Sequence, residues 1–163
     1  GPFGPAPAPM ADVELLADML TRSGLPTRAV PDARGAKWAK IIFNAAGNSV
    51  GALTGLPHGR VCDQPSLRAL LSALVAEGRA VADAHGVVLD GDPDAMLDLA
   101  HEAAYDHRPS MLQDVLARRP TEVDFLNGAI VQLGHQAGVP TPLNEAVAAL
   151  INGIEASWDP SAG

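Results

Sequence analysis

Cysteine occurs once in 163 residues, at Cys62, which excludes an internal disulfide and any cluster of thiols spaced to hold a metal. Aromatic side chains supply only 4% of a chain that is 47% apolar. Packing therefore falls to alanine and leucine, which favours closely approached helices over an aromatic-rich sandwich. Positive charge is also scarce: 11 basic residues face 19 acidic ones, for a net charge of −8. No basic stripe forms, and Arg118-Arg119 is an isolated pair, so a nucleic-acid partner is not expected. No apolar run approaches the ~20 residues of a membrane-spanning helix, so no membrane partner is expected either. A secretory leader is not visible, and a lone thiol fits a reducing compartment, so the expected location is cytoplasmic. Neither a G-x-G-x-x-G fingerprint nor a P-loop is present, and no serine sits in a nucleophile elbow. Cys62 has no adjacent histidine. His85, His101 and His135 are scattered, and His58 falls in a glycine-rich connection, so no metal is expected.

Hydrophobic periodicity predicts helices almost throughout. Residues 1–10, rich in alternating proline, read as a linker or an appended remnant. A helix is expected from Ala11 to about Arg22, closed by Gly24, and then a short strand over Leu25–Val30, stopped by Pro31. A helix followed by a brief strand is what the tail of an α/β domain looks like. From Asp32, a candidate N-cap, a long helix runs to about Val50. Leu53–Pro65 reads as a punctuated connection. The next helix, capped by Ser66 or Asp63, extends to about His85. Shorter helices follow over Pro93–Tyr105 and Ser110–Ala117. Thr121 then caps a helix through Gln136, ended by Gly138, and Thr141-Pro142 opens the last helix, to about Ser157. The expected fold class is all-α, with a short α/β remnant over residues 11–31, a helical domain over 32–158 and a flexible tail over 159–163.

Two local patterns carry chemistry. In Trp38-x-Lys40-x-x-x-Asn44-x-x-x-Asn48, a spacing of four turns each polar side chain by only ~40°, so the three form one slowly drifting stripe. One lysine and two neutral amides suit a small anionic ligand, the lysine giving charge or a proton and the amides directional hydrogen bonds. Lysine occurs only at Lys37 and Lys40. Arginine, the commoner cation here, is no ordinary proton donor, which adds weight to a specific ammonium at Lys40. The plain alternative is a solvated face of an amphipathic helix. The second pattern is His107-Arg-Pro-Ser110, followed by Arg119-Pro-Thr-Glu122. Ser110 at a helix start either holds a carboxylate or simply caps the helix. Glu122, in a first helical turn, has a sufficient structural explanation in the helix dipole.

At these two patterns the sequence resembles the C-terminal domain of the ketopantoate reductase family. The resemblance rests on Trp38-x-Lys40-x-x-x-Asn44-x-x-x-Asn48, Pro109-Ser110-Met111-Leu112-Gln113-Asp114, Thr121-Glu122-Val123-Asp124 with Asn127-Gly128, and Gly138-Val-Pro-Thr-Pro142-Leu-Asn144, in family order from about Ala11 to Trp158. It implies a helical domain of the 6-phosphogluconate-dehydrogenase-like type, and a Rossmann domain that binds NADP(H) outside this chain. It also implies reduction of 2-dehydropantoate to (R)-pantoate in pantothenate synthesis, with this chain inactive alone. Lys40 then takes the general-acid position and Glu122 that of the carboxylate orienting it and the substrate hydroxyl. Asn44, Asn48 and Ser110 match substrate contacts. His107 stands where some members carry asparagine, which bears on which 2-oxo acid is recognised. A reductase of another branched 2-oxo acid, and a non-catalytic helical binding or dimerisation module, remain open beside this reading. The implied partners are a small 2-oxo acid and the Rossmann domain, with room for a homodimer.

Overall fold

Nine-tenths of the sequence, residues 9–158, is described by the computed structural model. Of the remnant expected over residues 1–10, residues 1–8 lie outside the described residues, as does the tail over 159–163, while Met10 already belongs to a helix. The chain divides into two units, Gly1–Ala33 and Arg34–Gly163.

The first unit holds α1 (Met10–Arg22). Its end is closed at Ser23, whose hydroxyl donates back to the Met19 carbonyl at 2.9 Å, and at Gly24, which turns with φ +90°. The strand expected over Leu25–Val30 is not present. Instead the chain turns back on the helix end: the Thr21 hydroxyl donates to the Thr27 carbonyl at 3.1 Å and accepts from the Thr27 amide at 3.0 Å. A strand needs a neighbour to complete its ladder, and no second strand exists among the described residues.

The second unit is built around α2 (Arg34–Thr54). Around it lie α3 (His58–Cys62), α4 (Pro65–Ala84), α5 (Pro93–Ala103), α6 (Ser110–Leu116), α7 (Asn127–Ala137) and α8 (Pro142–Ala156). Helices α4, α5, α6 and α8 all pack on α2. Its buried side is mostly small: Trp38, Ala39, Ile42, Ala45, Ala46, Gly47, Ser49, Val50, Gly51 and Ala52. Small residues let neighbouring backbones come close. At the α2–α4 crossing a Cβ added to Gly78 would stand 2.9 Å from Ile42 Cγ1, closer than any real contact. Leu71, Leu74, Val75 and Val81 of α4 complete this core with Leu97, Met111, Ile130 and Ile151 from the surrounding helices. The all-helical class read from the sequence is the one the structure has.

Three boundaries differ from expectation for local reasons. Leu53–Pro65 contains α3, whose start is fixed by main-chain bonds from His58 N to His107 O (3.0 Å) and Gly59 N to Tyr105 O (2.9 Å). Pro65 opens α4 after Gln64, so neither Asp63 nor Ser66 caps it. The helix expected from Thr121 is split into a 3-10 turn over Val123–Phe125 and α7, with Leu126 at φ −105°, ψ −87° between them. The break lets Val123, Leu126 and Asn127 all turn inward to buried positions.

Buried polar groups then tie the helices together. The Asn127 amide donates to the Ala45 carbonyl at 3.1 Å and to Asn144 Oδ1 at 3.0 Å. The Asn144 amide donates to Glu77 Oε2 at 2.7 Å, and the Glu77 carboxylate also accepts the Leu143 and Asn144 backbone N–H groups, both at 2.9 Å. Thr141 makes no side-chain cap at the start of α8, so a carboxylate from α4 satisfies those orphan donors. Charge-assisted bonds to donors that would otherwise be unpaired are costly to lose. Glu77→Ala is therefore expected to lower unfolding free energy by ~2–3 kcal/mol in a denaturant titration. A loss under ~0.5 kcal/mol would show that water replaces the carboxylate without penalty.

Candidate functional site

On α2, Asn44 and Asn48 lie one turn apart, about 6 Å along the axis, and both are half-buried. They do not face open solvent. Together with Phe43 they form one wall of a cleft of about 240 Å³, closed by His58 from α3, Ala100 and Ala104 near the end of α5, and His107, Pro109, Ser110 and Gln113 around the start of α6. Polar groups sit on an apolar frame of phenylalanine, alanine and proline, the usual make-up of a small-molecule site.

Ser110 is where the alternatives separate. Pro109, not Ser110, occupies the cap position of α6, and no side chain caps that helix. The Ser110 hydroxyl instead accepts from the Asn48 amide across 62 residues of sequence, at 3.5 Å, the long limit of such a bond. Its oxygen is thus turned towards the amide stripe. His107 is fixed by its main chain, its N–H bonded to Ala104 O (3.0 Å) and its carbonyl accepting from His58 N, while its side chain lines the cleft.

The structure therefore brings Asn44, Asn48, His107 and Ser110 together. Lys40 and Glu122 do not line this cleft. Lys40 is exposed one turn before Asn44, and Glu122 is exposed at the start of the 3-10 turn. Neither makes a hydrogen bond or ion pair with its side chain among the described residues, so the Lys40 ammonium is not committed to any carboxylate of the chain. Two other motif residues, Asn127 and Asn144, are wholly buried scaffold.

His58 was not legible as a site residue. It is 5% exposed and lines the cleft, with its ring 6.1 Å from that of Phe43. Its Nε2 lies 3.1 Å from the Leu97 carbonyl, which can only accept, so Nε2 carries the proton. Only Pro57-His58-Gly59 hints at this arrangement. A Cβ on Gly59 would meet the Tyr105 ring at 2.2 Å, so glycine is required for α3 to seat against Tyr105. Cys62, which has no adjacent histidine in sequence, lies one turn along α3 with Sγ 3.7 Å from His58 Nε2. The pair is not a nucleophile and base, because Nε2 already holds a proton. Burial also pushes the Cys62 thiol pKa up, away from the reactive thiolate. No group of His, Cys, Asp and Glu among the described residues is arranged to hold a metal ion, and none of their helices is long and apolar enough to cross a membrane.

The second unit is thus an all-helical domain with an amide- and hydroxyl-lined cleft and an exposed lysine one turn away on the same helix. Residues 32–155 match the family described as ketopantoate reductase PanE/ApbA C terminal. The chain belongs to the ketopantoate reductase family and corresponds to its C-terminal domain. It is 33% identical over 144 residues to the 2-dehydropantoate 2-reductase of Archaeoglobus fulgidus, covering 88% of this chain and 48% of that one. A crystal structure of a PanE/ApbA family ketopantoate reductase from Ralstonia eutropha superposes with a TM-score of 0.82 at 35% identity, over 88% of this chain and 48% of that one. A ternary structure of D-mandelate dehydrogenase with NADH and anilino(oxo)acetate gives a TM-score of 0.85 at 27% identity, over 90% of this chain and 62% of that one. The chain spans about half the length of the curated relatives it matches.

The cleft histidine also makes a prediction for stability. Burial holds the His58 pKa below the ordinary 6.5, against the opposing Leu97 bond. Above that value the ring is neutral in both folded and unfolded chains and has no pH effect. As pH falls through 6.5 the unfolded chain takes up a proton that the folded one does not, so stability drops until the lowered folded value is reached. Tm is expected to fall between about pH 7.5 and about pH 5, and to fall less in His58→Gln. Equal falls in the two proteins would remove His58 as the source.

Proposed function

We propose that this chain is the substrate-side domain of an NADPH-dependent 2-oxo acid reductase that converts 2-dehydropantoate to (R)-pantoate. The observation that carries this reading is the assembly of Asn44, Asn48, His107 and Ser110 on one cleft from distant parts of the sequence. Its support from kinship is the family to which the chain belongs.

In this reading the nucleotide belongs to a Rossmann domain outside the chain, since no glycine-rich pyrophosphate loop occurs in it. Leu15, Leu16 and Met19, exposed on α1, give such a domain an apolar surface to cover. Bound NADPH supplies the hydride. The chain's own residues bind the acid and manage the proton. Asn44, Asn48, Ser110 and His107 hold the carboxylate end by neutral hydrogen bonds. The Lys40 ammonium donates its proton to the ketone oxygen and stabilises the alkoxide as charge develops, where an uncommitted cation has the most catalytic value. Glu122, with no side-chain partner among the described residues, is assigned by its motif to orient Lys40 and the substrate hydroxyl. The likeness to D-mandelate dehydrogenase favours a second reading, reduction of a different 2-oxo acid on the same wall. A panel of 2-oxo acids assayed by NADPH oxidation decides between the two substrates.

In the full-length protein, Lys40→Ala is expected to lower kcat at least ~100-fold, the usual contribution of a positioned general acid. Circular dichroism should remain unchanged, because the side chain is exposed. Near-normal kcat in the folded variant would remove Lys40 from the acid role. The isolated chain should fold yet bind NADPH no better than about millimolar and oxidise none with 2-dehydropantoate. The reason is that hydride transfer needs both reactants held within roughly 3–3.5 Å. Calorimetric titration checks this, and micromolar binding by the chain alone would overturn the assignment of the nucleotide to another domain.

A further inference from the structure

The segment that joins α6 to the 3-10 turn carries Glu122, and its backbone is fixed more firmly than an exposed connection requires. At its start the chain makes a left-handed turn at Arg118, φ +49°, the one non-glycine residue with positive φ among the described residues. A side chain is strained there, and such a conformation persists only where surrounding bonds impose it. The Arg118 and Arg119 amides donate to the Val115 and Asp114 carbonyls at 3.0 and 2.9 Å. The Arg119 guanidinium also grips Asp114 Oδ1, through Nε at 3.1 Å and Nη2 at 2.7 Å. On the far side, the Glu122 carbonyl accepts from the Phe125 and Leu126 amides at 3.0 and 3.1 Å. Between these anchors the Thr121 N–H is met from another helix: Glu155 of α8 accepts it through Oε1 at 2.8 Å. Glu155 is half-buried, and its carboxylate has no other partner among the described residues. A carboxylate drawn partly out of water without a cation is a costly way to satisfy one backbone amide, which water serves nearly as well. What water does not do is fix where the next residue stands. That residue is Glu122, exposed, with no side-chain bond at the start of the 3-10 turn.

We propose that Glu155 is a positioning residue: its bond to the Thr121 N–H holds Glu122 where it orients Lys40 and the substrate hydroxyl. This rests on the role given to Glu122 in the reductase reading above, and adds the residue that keeps Glu122 in place. A charge-assisted bond is the shorter and stronger kind, and a reacting or orienting group displaced by about 1 Å can cost up to ~100-fold in rate.

The test is a double-mutant cycle in the full-length protein, read as kcat/KM for 2-dehydropantoate by NADPH oxidation, with folding checked by circular dichroism. Glu155→Ala should lower kcat/KM at least ~10-fold when Glu122 is present and less than ~2-fold in a Glu122→Ala background, where nothing is left to position. A merely structural role lowers both backgrounds alike, and that result would overturn the proposal. Glu155→Asp keeps the charge but withdraws the carboxylate by one methylene. It should show the same dependence on Glu122, and supplies the reading if the alanine variant does not fold. Glu155→Gln keeps an acceptor oxygen at the original reach and should retain roughly a third or more of the wild-type value. A fall as deep as that of alanine would overturn the bond as the cause. Wild-type kcat/KM in Glu122→Ala would leave Glu155 nothing to position, overturning the proposal while the reductase reading stands. Failure of wild type to reduce any 2-oxo acid would instead overturn the reductase reading, and the role of Glu155 with it.

Discussion

Two asparagines and one glutamate fix the geometry on which the rest of this domain depends. Asn127 joins the start of α7 to a carbonyl of α2 and to Asn144 on α8, and Asn144 is in turn held by Glu77 of α4. In a core composed mainly of alanine, valine and leucine, non-directional packing alone leaves helices free to slide. Buried amides do not allow that, because a shifted helix would strand donors and acceptors in an apolar interior. The network grips α2 at Ala45, next to Asn44 on the cleft side. The same turn of helix thus carries the scaffold bond on one side and a cleft-lining amide on the other.

This division explains why the sequence motifs mix two jobs. Asn44, Asn48 and Ser110 line the cleft, whereas Asn127 and Asn144 never meet it, although all five belong to patterns of the same family. An asparagine on a helix reads alike whether it faces a ligand or a buried carbonyl. Only the partner distinguishes them, and the partner is tens of residues away. Helix existence was legible because periodic leucines, valines and alanines record a buried face locally. The break at Leu126 was not, because it is imposed by three neighbours turning inward to a core assembled from other helices. The Leu25–Val30 stretch shows the opposite dependence: β-like composition forms no strand among the described residues, which hold no second strand to pair with it. Ser110 has the sequence of a cap, yet Pro109 takes that position and frees the hydroxyl for the cleft.

His58 is the residue that local reading could not have promoted. The glycine of Pro57-His58-Gly59 is the one local trace of a buried imidazole. Its position follows from α3 being sewn by main-chain bonds to Tyr105 and His107, with the ring beside Phe43 and against the Leu97 carbonyl. The same stitching positions His107. One pair of backbone contacts thus sets two of the cleft's walls, and the glycine at position 59 is the steric condition for both.

The charges around the cleft are distributed to the same end. Three acidic side chains of α3–α5 and their connections are engaged by other groups: Asp63 by His101 and Tyr105, and Asp94 and Asp98 by Arg68. The Asp63 carboxyl is held below its usual pKa by those hydrogen bonds, Tyr105 first, which keeps it ionised and paired. Lys40, by contrast, has no ion-pair partner among the described residues. An ammonium already neutralised by a carboxylate must lose that partner before it can serve a substrate, and the exchange offsets much of the gain. The lysine is thus an unpaired cation in a chain of net charge −8. On the proposed reading, the neutral amides one and two turns along supply direction without competing for the charge, and the cation stays available to the ketone oxygen.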